Sequence, residues 1–133
     1  MDQYNENLLG YLCMVDDQFM IDRIGEEKLI DFSPPFATTQ GQYGNAFRLL
    51  YFESPYLSSD TIFGCVHVVL NKHKIIIANM IVAPGQRRRK IGSMLITELR
   101  RRVKDYKGHE IVVSNIASES GVEFFKAQGI EEI

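Results

Sequence analysis

Leu8, Leu12, Val15 and Phe19 recur at helical spacing, which predicts a long amphipathic helix over residues 7–24, started by Asn5 or Asn7 and ended by Gly25. From 31 to 45 the periodicity is lost: Pro34, Pro35, Gly41 and Gly44 lie among polar residues, and the segment reads as loop. Apolar and aromatic residues then crowd Phe47 to Phe52, a strand, before the turn-like stretch Glu53–Asp60. Two β-branched runs, Thr61–Leu70 and Ile75–Val82, flank the polar turn Asn71–Lys74 and read as a hairpin. With that turn, His67 is expected directly opposite Ala78 and Cys65 opposite Met80, both pairs on one face. Pro84 and Gly85 stop the hairpin. Ile91, Leu95, Leu99 and Val103 repeat every four residues and predict a helix over 91–106, broken by Gly108. Ile111–Val113 is a short strand, and Ser120 with Glu123 forms a capping box for a last helix that Gly129 ends.

This order of elements is an α/β (α+β) pattern, with helices packed on a mostly antiparallel sheet. The chain has 133 residues, so a single domain over 1–133 is expected, large enough to bury a core without metals or disulfides. Hydrophobic residues at 45% and charged residues at 24% exclude a disordered or collagen-like chain. No apolar run has the length of a membrane span, and Asp2 and Glu6 at an N-terminus without early Lys or Arg do not resemble a secretory signal. Cys13 and Cys65 have neither paired nor metal-like spacing, which points to a reduced, cytoplasmic compartment. Three scattered histidines likewise give no metal site.

Charge adds an asymmetry that the net value of −2 conceals. Residues 1–31 hold eight acids and two bases, and residues 72–107 hold eleven bases and two acids. The basic end suits a phosphorylated ligand and the acidic end a cationic one. Within the basic end, Val82-Ala-Pro-Gly-Gln-Arg-Arg-Arg-Lys-Ile-Gly-Ser runs from a strand end through a loop into a helix opening with Gly92 and Ser93. Unpaired amides at a helix start, aided by its dipole, form an anion site, and Arg87, Arg88, Arg89 and Lys90 surround it with positive charge. The spacing is neither that of a P-loop nor GxGxxG.

The same segment resembles the coenzyme A loop of the GNAT superfamily of N-acetyltransferases, whose motif is a strand ending Val-x-Pro, then Gln/Arg-x-x-Gly-x-Gly/Ala, then a helix. Val82, Pro84, Arg87 and Gly92 match it, while Lys90 replaces the first glycine and is expected to keep helical dihedrals. The family's second signature, Phe-Tyr-x-x-x-Gly-Phe, is matched by Phe124-Phe125-Lys-Ala-Gln-Gly129-Ile130. The resemblance covers residues 46–130. It implies a sheet that splays open between strands 75–82 and 111–117 to hold acetyl-CoA. Backbone groups of Ile81 and Val82 would pair with the pantetheine arm, and amides from Arg87, Arg88, Arg89, Lys90, Ile91, Gly92 and Ser93 would hold the pyrophosphate.

Acetyl transfer needs a neutral amine, a donor to the thioester oxygen and a proton for the leaving thiolate. The family's tyrosine position is Phe125 here, which carries no proton, so Ser118 acting through a water is the candidate proton donor. His67 is the candidate base. The expected function is acetyl transfer from acetyl-CoA to a primary amine of a small molecule or protein. The alternative is a GNAT-like binding or regulatory protein with a degraded cofactor site, which Lys90 and Phe125 favour. Nucleic-acid binding through Arg87–Lys90 and Arg100–Arg102 ranks third, because the net charge and the lack of a recognition pattern oppose it. Set against the family, the sheet looks trimmed at both ends. Either sequence beyond residue 133 is missing or a second copy covers the exposed edge.

Overall fold

The computed structural model describes residues 17–41, 45–83, 85, 86, 89–106, 108–116 and 118–133. Helix α1 spans Asp17–Ile24. It buries Ile21 and Ile24, and the Gly25 N–H closes it on the Ile21 carbonyl. The earlier part of the expected helix, with Leu8, Leu12 and Val15, lies outside the described residues.

The expected loop from 31 to 45 is largely a hairpin: β1 (Leu29–Ser33) and β2 (Phe36–Gln40). Its two prolines sit together in the turn between the paired Ser33 and Phe36, where the ladder needs no N–H. β3 (Ala46–Phe52), β4 (Ile62–Asn71) and β5 (Lys74–Val82) follow as expected. Helix α2 (Ile91–Val103) stops three residues short of the sequence reading. β6 (Glu110–Val113), α3 (Glu119–Ala127) and β7 (Glu131–Glu132) complete the chain, so a short strand stands where only a tail was expected.

All seven strands form one sheet in sequence order. β1 to β5 are antiparallel neighbours, whereas β5–β6 and β6–β7 are parallel, with α2 and α3 as their crossovers. Ser118, not the Ser120–Glu123 pair, caps α3: its Oγ accepts from the Gly121 N–H at 3.1 Å. Gly129 ends the helix with φ of 73°. The N–H groups of Gly129 and Ile130 return to the carbonyls of Lys126 and Phe125, and Ile130 seals the end by its burial.

The β4–β5 register departs from a regular hairpin at one point. His67 faces Asn79 but the next residue, Val68, faces Ile77, so Ala78 is an extra residue. His67 is therefore opposite Asn79, not Ala78, and Cys65 is opposite Ile81, not Met80. The insertion also reverses the alternation along β5. Ile75 and Ile77 point to the face carrying α2 and α3, and beyond the bulge Met80 and Val82 do so. Ile81 points to the face carrying α1, where it packs with Ile21, Leu50, Phe52 and Cys65.

Helix α2 lays Ile91, Leu95, Leu99 and Val103 on this sheet, together with Ile96. Its first turn sits over Gly64 of β4. A Cβ there would stand 2.7 Å from Ile91 Cγ2 and 3.1 Å from Leu95 Cδ1. The missing side chain thus fixes how closely the helix start approaches the sheet. Gly64→Ala is expected to lower stability by about 1–3 kcal/mol through overpacking. A urea midpoint that falls with an unchanged slope checks this, and an unchanged midpoint would show that the helix is not seated there.

Candidate functional site

The ladder between β4 and β5 runs to Gly64 and Val82, but the ladder between β5 and β6 stops at Ile77 and Val113. The Ser114 N–H bonded to the Ile77 carbonyl at 3.1 Å is its last link. Two local features force the strands apart. Ala78 bulges on one side, and Asn115, with φ of 57°, turns the chain away on the other. A split opens here between neighbouring strands of one sheet.

Backbone direction along the split follows from the register. The Ala83 N–H reaches the Phe63 carbonyl at 2.9 Å, so Ala83 and Ile81 turn their backbone groups toward β4. Met80 and Val82, between them, turn theirs toward the split. Of the pair expected to line it by backbone, Val82 turns its backbone groups to this side, whereas Ile81 turns its own to β4.

The start of α2 stands at the end of β5. Lys90 is its N-cap, and its backbone is left-handed, with φ 61° and ψ 25°, rather than helical as expected. This is the conformation that glycine adopts without cost, which accounts physically for a glycine at that place in the family pattern. The lysine side chain makes no capping bond. Met94, bonded to the Lys90 carbonyl at 3.0 Å, is the first residue of the helical ladder. The amides of Ile91, Gly92 and Ser93 accordingly have no intrahelical acceptor. Gly92 has a second reason to be glycine, because a Cβ there would come within 3.2 Å of the Phe124 ring on α3. The Ser93 hydroxyl is tied to α3 by Gln128 Nε2 at 3.2 Å.

Arg87 and Arg88 lie outside the described residues. Arg89 is directed away from the helix start. It donates to Glu53 Oε2 at 2.6 Å and to Gln86 Oε1 at 2.5 Å, and lies over the Phe63 ring at 5.7 Å. The Tyr51 hydroxyl donates to the same carboxylate oxygen at 2.6 Å. That hydrogen bond, followed by the Arg89 guanidinium, holds the Glu53 carboxyl below its usual range; the same bond, with burial, lifts the Tyr51 phenol above its own against the Arg89 charge. Sequence reading found the arginine but not its partner, because nothing local links position 53 to position 89.

Ser118 spends its oxygen on the α3 cap and lies 3.2 Å from Ser120 Oγ. Phe125 is buried in the core at 6% exposure. His67 is 4% exposed and points to the α1 face. Burial, with the Arg48 charge second, lowers its pKa to about 4. No group of three or more metal-binding side chains occurs among the described residues. Nor is any of their helices long and apolar enough to cross a membrane.

The sequence profile described as the acetyltransferase (GNAT) domain matches residues 49–131, more than half of the chain. The chain belongs to the GNAT acetyltransferase family. Solved GNAT structures share its fold. An aminoglycoside acetyltransferase from an uncultured soil metagenomic sample is 22% identical with a TM-score of 0.55, over 69% of this chain and 63% of that one. PaiA N-acetyltransferase from Thermoplasma acidophilum, in complex with coenzyme A, is 18% identical with a TM-score of 0.53, over 63% of this chain and 50% of that one. Aminoglycoside N-acetyltransferase AAC(6')-Iy, in complex with CoA, is 14% identical with a TM-score of 0.55, over 68% and 72%. The chain thus spans half to three fifths of several solved relatives, such as PaiA at 50% and a Streptococcus pneumoniae GNAT protein at 60%. No curated protein sequence matches it.

Two outcomes follow from the GNAT site's geometry. Lys90→Gly relieves the left-handed backbone and should stabilise the protein by about 1 kcal/mol, seen as a melting temperature raised by about 4 °C. A lowered temperature would show that the lysine side chain matters more than its backbone. His67 stays neutral in the folded protein down to about pH 4, whereas the unfolded chain takes up that proton near 6.5. The unfolded state binds more protons across this window, so stability falls as pH drops through it, by about 3 kcal/mol from this group. In His67→Leu the loss between pH 7 and pH 4.5, measured by urea unfolding, should be smaller by about 2–3 kcal/mol. An equal loss in both proteins would place the ring in water.

Proposed function

We propose that this GNAT protein transfers an acetyl group from acetyl-CoA to a primary amine of a small molecule or of a protein. The observation that carries the reading is the parting of β5 from β6 beside the uncapped start of α2. An edge of backbone donors and acceptors can take an extended pantetheine arm as an added strand. The amides of Ile91, Gly92 and Ser93 suit a pyrophosphate, with positive charge from Lys90 and the neighbouring Arg87 and Arg88. Arg89 enters the reading as the residue that ties the loop to β3 through Glu53. The cofactor supplies an activated thioester.

In the reaction the amine nitrogen bonds to the thioester carbon, the C–S bond breaks, and the proton lost by nitrogen is balanced by one gained by sulfur. A backbone N–H turned into the split beside Val82 can stabilise the oxygen as charge develops on it. The Ser118 oxygen accepts from Gly121, and its proton, which can otherwise go to Ser120 Oγ, is the one that would be donated toward a water or the thiolate. A ring with a pKa of about 4 is a weak base at neutral pH. His67 therefore enters as a neutral group on the α1 side, and deprotonation of the amine is left to solvent. The acidic residues near the N-terminus would favour a cationic acceptor. Two cysteines without paired spacing suit a cytoplasmic location.

A second reading, a binding protein that holds CoA without turnover, is favoured by Phe125, which fills the tyrosine position with a core side chain. One experiment separates the two. Acetyl-CoA and CoA should raise the melting temperature in a concentration-dependent way. Thiol release with a panel of amines is then expected from the enzyme and not from the binding protein. Lys90→Glu should weaken acetyl-CoA by about tenfold or more, since it places a negative charge at the helix start. No thermal shift with either CoA species would overturn both readings.

A further inference from the structure

The sheet face carrying α1 is built in rows that run across the strands. One row is apolar: Ala37, Leu50, Cys65 and Ile81 stand side by side on β2, β3, β4 and β5. So is the row of Ala46, Val69 and Ile76 on β3, β4 and β5. Between them runs a row of another kind. Thr39 pairs with Arg48, Arg48 with His67, and His67 with Asn79, four polar side chains on four adjacent strands. The bulge at Ala78 brings Asn79 onto this face, so the row ends on the strand that borders the split.

One end of the row is satisfied within the protein. Glu27 accepts from Thr39 Oγ1 at 2.8 Å and from Arg48 Nε at 3.0 Å. The middle is not. Arg48 Nη1 and both ring nitrogens of His67 are buried without a hydrogen-bond partner. The two residues are 7% and 4% exposed, and they face each other across neighbouring strands, which sets their Cβ atoms about 5 Å apart. Native proteins rarely leave such groups unmet, because burial removes their water without replacing its hydrogen bonds.

The missing partner has a defined chemistry. Glu27 already balances the Arg48 charge, and the imidazole is neutral. A second carboxylate would leave unbalanced charge in a buried place, and an ammonium would oppose the guanidinium. The group required is uncharged, accepts from Arg48 Nη1 and donates to the basic nitrogen of His67. A hydroxyl does both.

We propose that Arg48 and His67 form a buried hydroxyl-binding site on the acceptor's side of the GNAT sheet, one strand from the split. An ordered water can bring the hydroxyl, or a hydroxylated amine acceptor can. If the donor's phosphates lie at the α2 start on the other face, the acceptor would come to the split from this one. Only this second source rests on the acetyltransferase reading.

Two measurements on the full chain test the site. The first is magnetisation transfer from water to the His67 ring protons in the protein without ligand, which a long-lived buried water produces. The second is kcat/KM for an amino alcohol and for its deoxy analogue. A preference of about tenfold for the amino alcohol is expected if the acceptor brings the hydroxyl. In His67→Phe that preference should fall to about one, while His67→Gln, which keeps a donor and an acceptor, should retain it. Water contact at His67, or a preference lost in His67→Phe and kept in His67→Gln, supports the site. Absence of water contact together with no preference, or with a preference that survives His67→Phe, overturns it. CoA binding tests the acetyltransferase reading separately, so the two can fail independently.

Discussion

One extra residue in β5 sets the arrangement on which the rest depends. A strand alternates its side chains with a period of two, so a single insertion transfers everything beyond it to the other face. Before Ala78, Ile75 and Ile77 feed the core under α2; after it, Met80 and Val82 take that side while Asn79 and Ile81 turn to the α1 face. The bulge also coincides with the end of pairing to β6. A regular β5 would have placed Asn79 in the apolar core beneath α2 and Met80 on the far side. The same insertion therefore settles which groups face the split and which complete the polar row beside His67.

The helix that ends the split is held on the sheet by its apolar stripe and brought close by two absent side chains. Gly64 lets the first turn of α2 rest on β4, and Gly92 lets the Phe124 ring of α3 approach the same turn. Its opening amides are thereby fixed in place by packing, and the Lys90 side chain makes no capping bond to them. Part of the basic excess of the sequence is matched inside the fold: Arg89 by Glu53, Arg101 and Arg102 by Glu98, and Arg102 also by Asp31. Glu98 is only 8% exposed, and its hydrogen bond from Arg101, then that from Arg102, keeps its carboxyl below the usual range despite burial. The acidic beginning of the chain and its basic centre meet directly at Asp31–Arg102, so part of the two-ended charge pattern is a folding contact. Partly exposed pairs of this kind add little stability individually. Of them only Arg89–Glu53 involves a residue beside the helix start; Arg101 and Arg102 sit in the last turn of α2.

Elements set by periodicity were legible in the sequence, and those set by a single residue were not. The stripe of Ile91, Leu95, Leu99 and Val103 required a helix, and the two β-branched runs around Asn71–Lys74 required a hairpin. The GNAT signatures were legible because each combines a strand end, a turn and a helix start at fixed spacing. The β1–β2 hairpin was hidden because Pro34 and Pro35 dominate the local composition, although both fall in the turn and spare the strands. The bulge was hidden because an extra residue leaves a run such as Ile75–Val82 looking equally regular. The left-handed Lys90 was hidden because lysine carries no signal for positive φ. Arg48 and Asn79, polar breaks in otherwise apolar strands, were the visible trace of the buried row. Only the register showed that they align with His67.

That row also bears on how a site with Phe125 in place of tyrosine could work. Phe125 belongs to the core under α2, and its carbonyl receives the Ile130 N–H that ends α3. The position thus serves packing and helix termination, and neither role depends on a hydroxyl. Polar chemistry close to the split is instead concentrated on the opposite face, in side chains that a purely structural sheet would have replaced with apolar ones. Burying Arg48 and His67 between two apolar rows disfavours folding unless their remaining hydrogen bonds are met. A row of this composition is thus best understood as part of what the α1 face receives. The α2 face, with its helix start and strand edge, is the side that the proposed reading gives to the phosphates and the extended arm of the donor. In the proposed reaction the two faces of one sheet would divide the recognition of donor and acceptor between them, and the split at Ala78 is where those halves would meet.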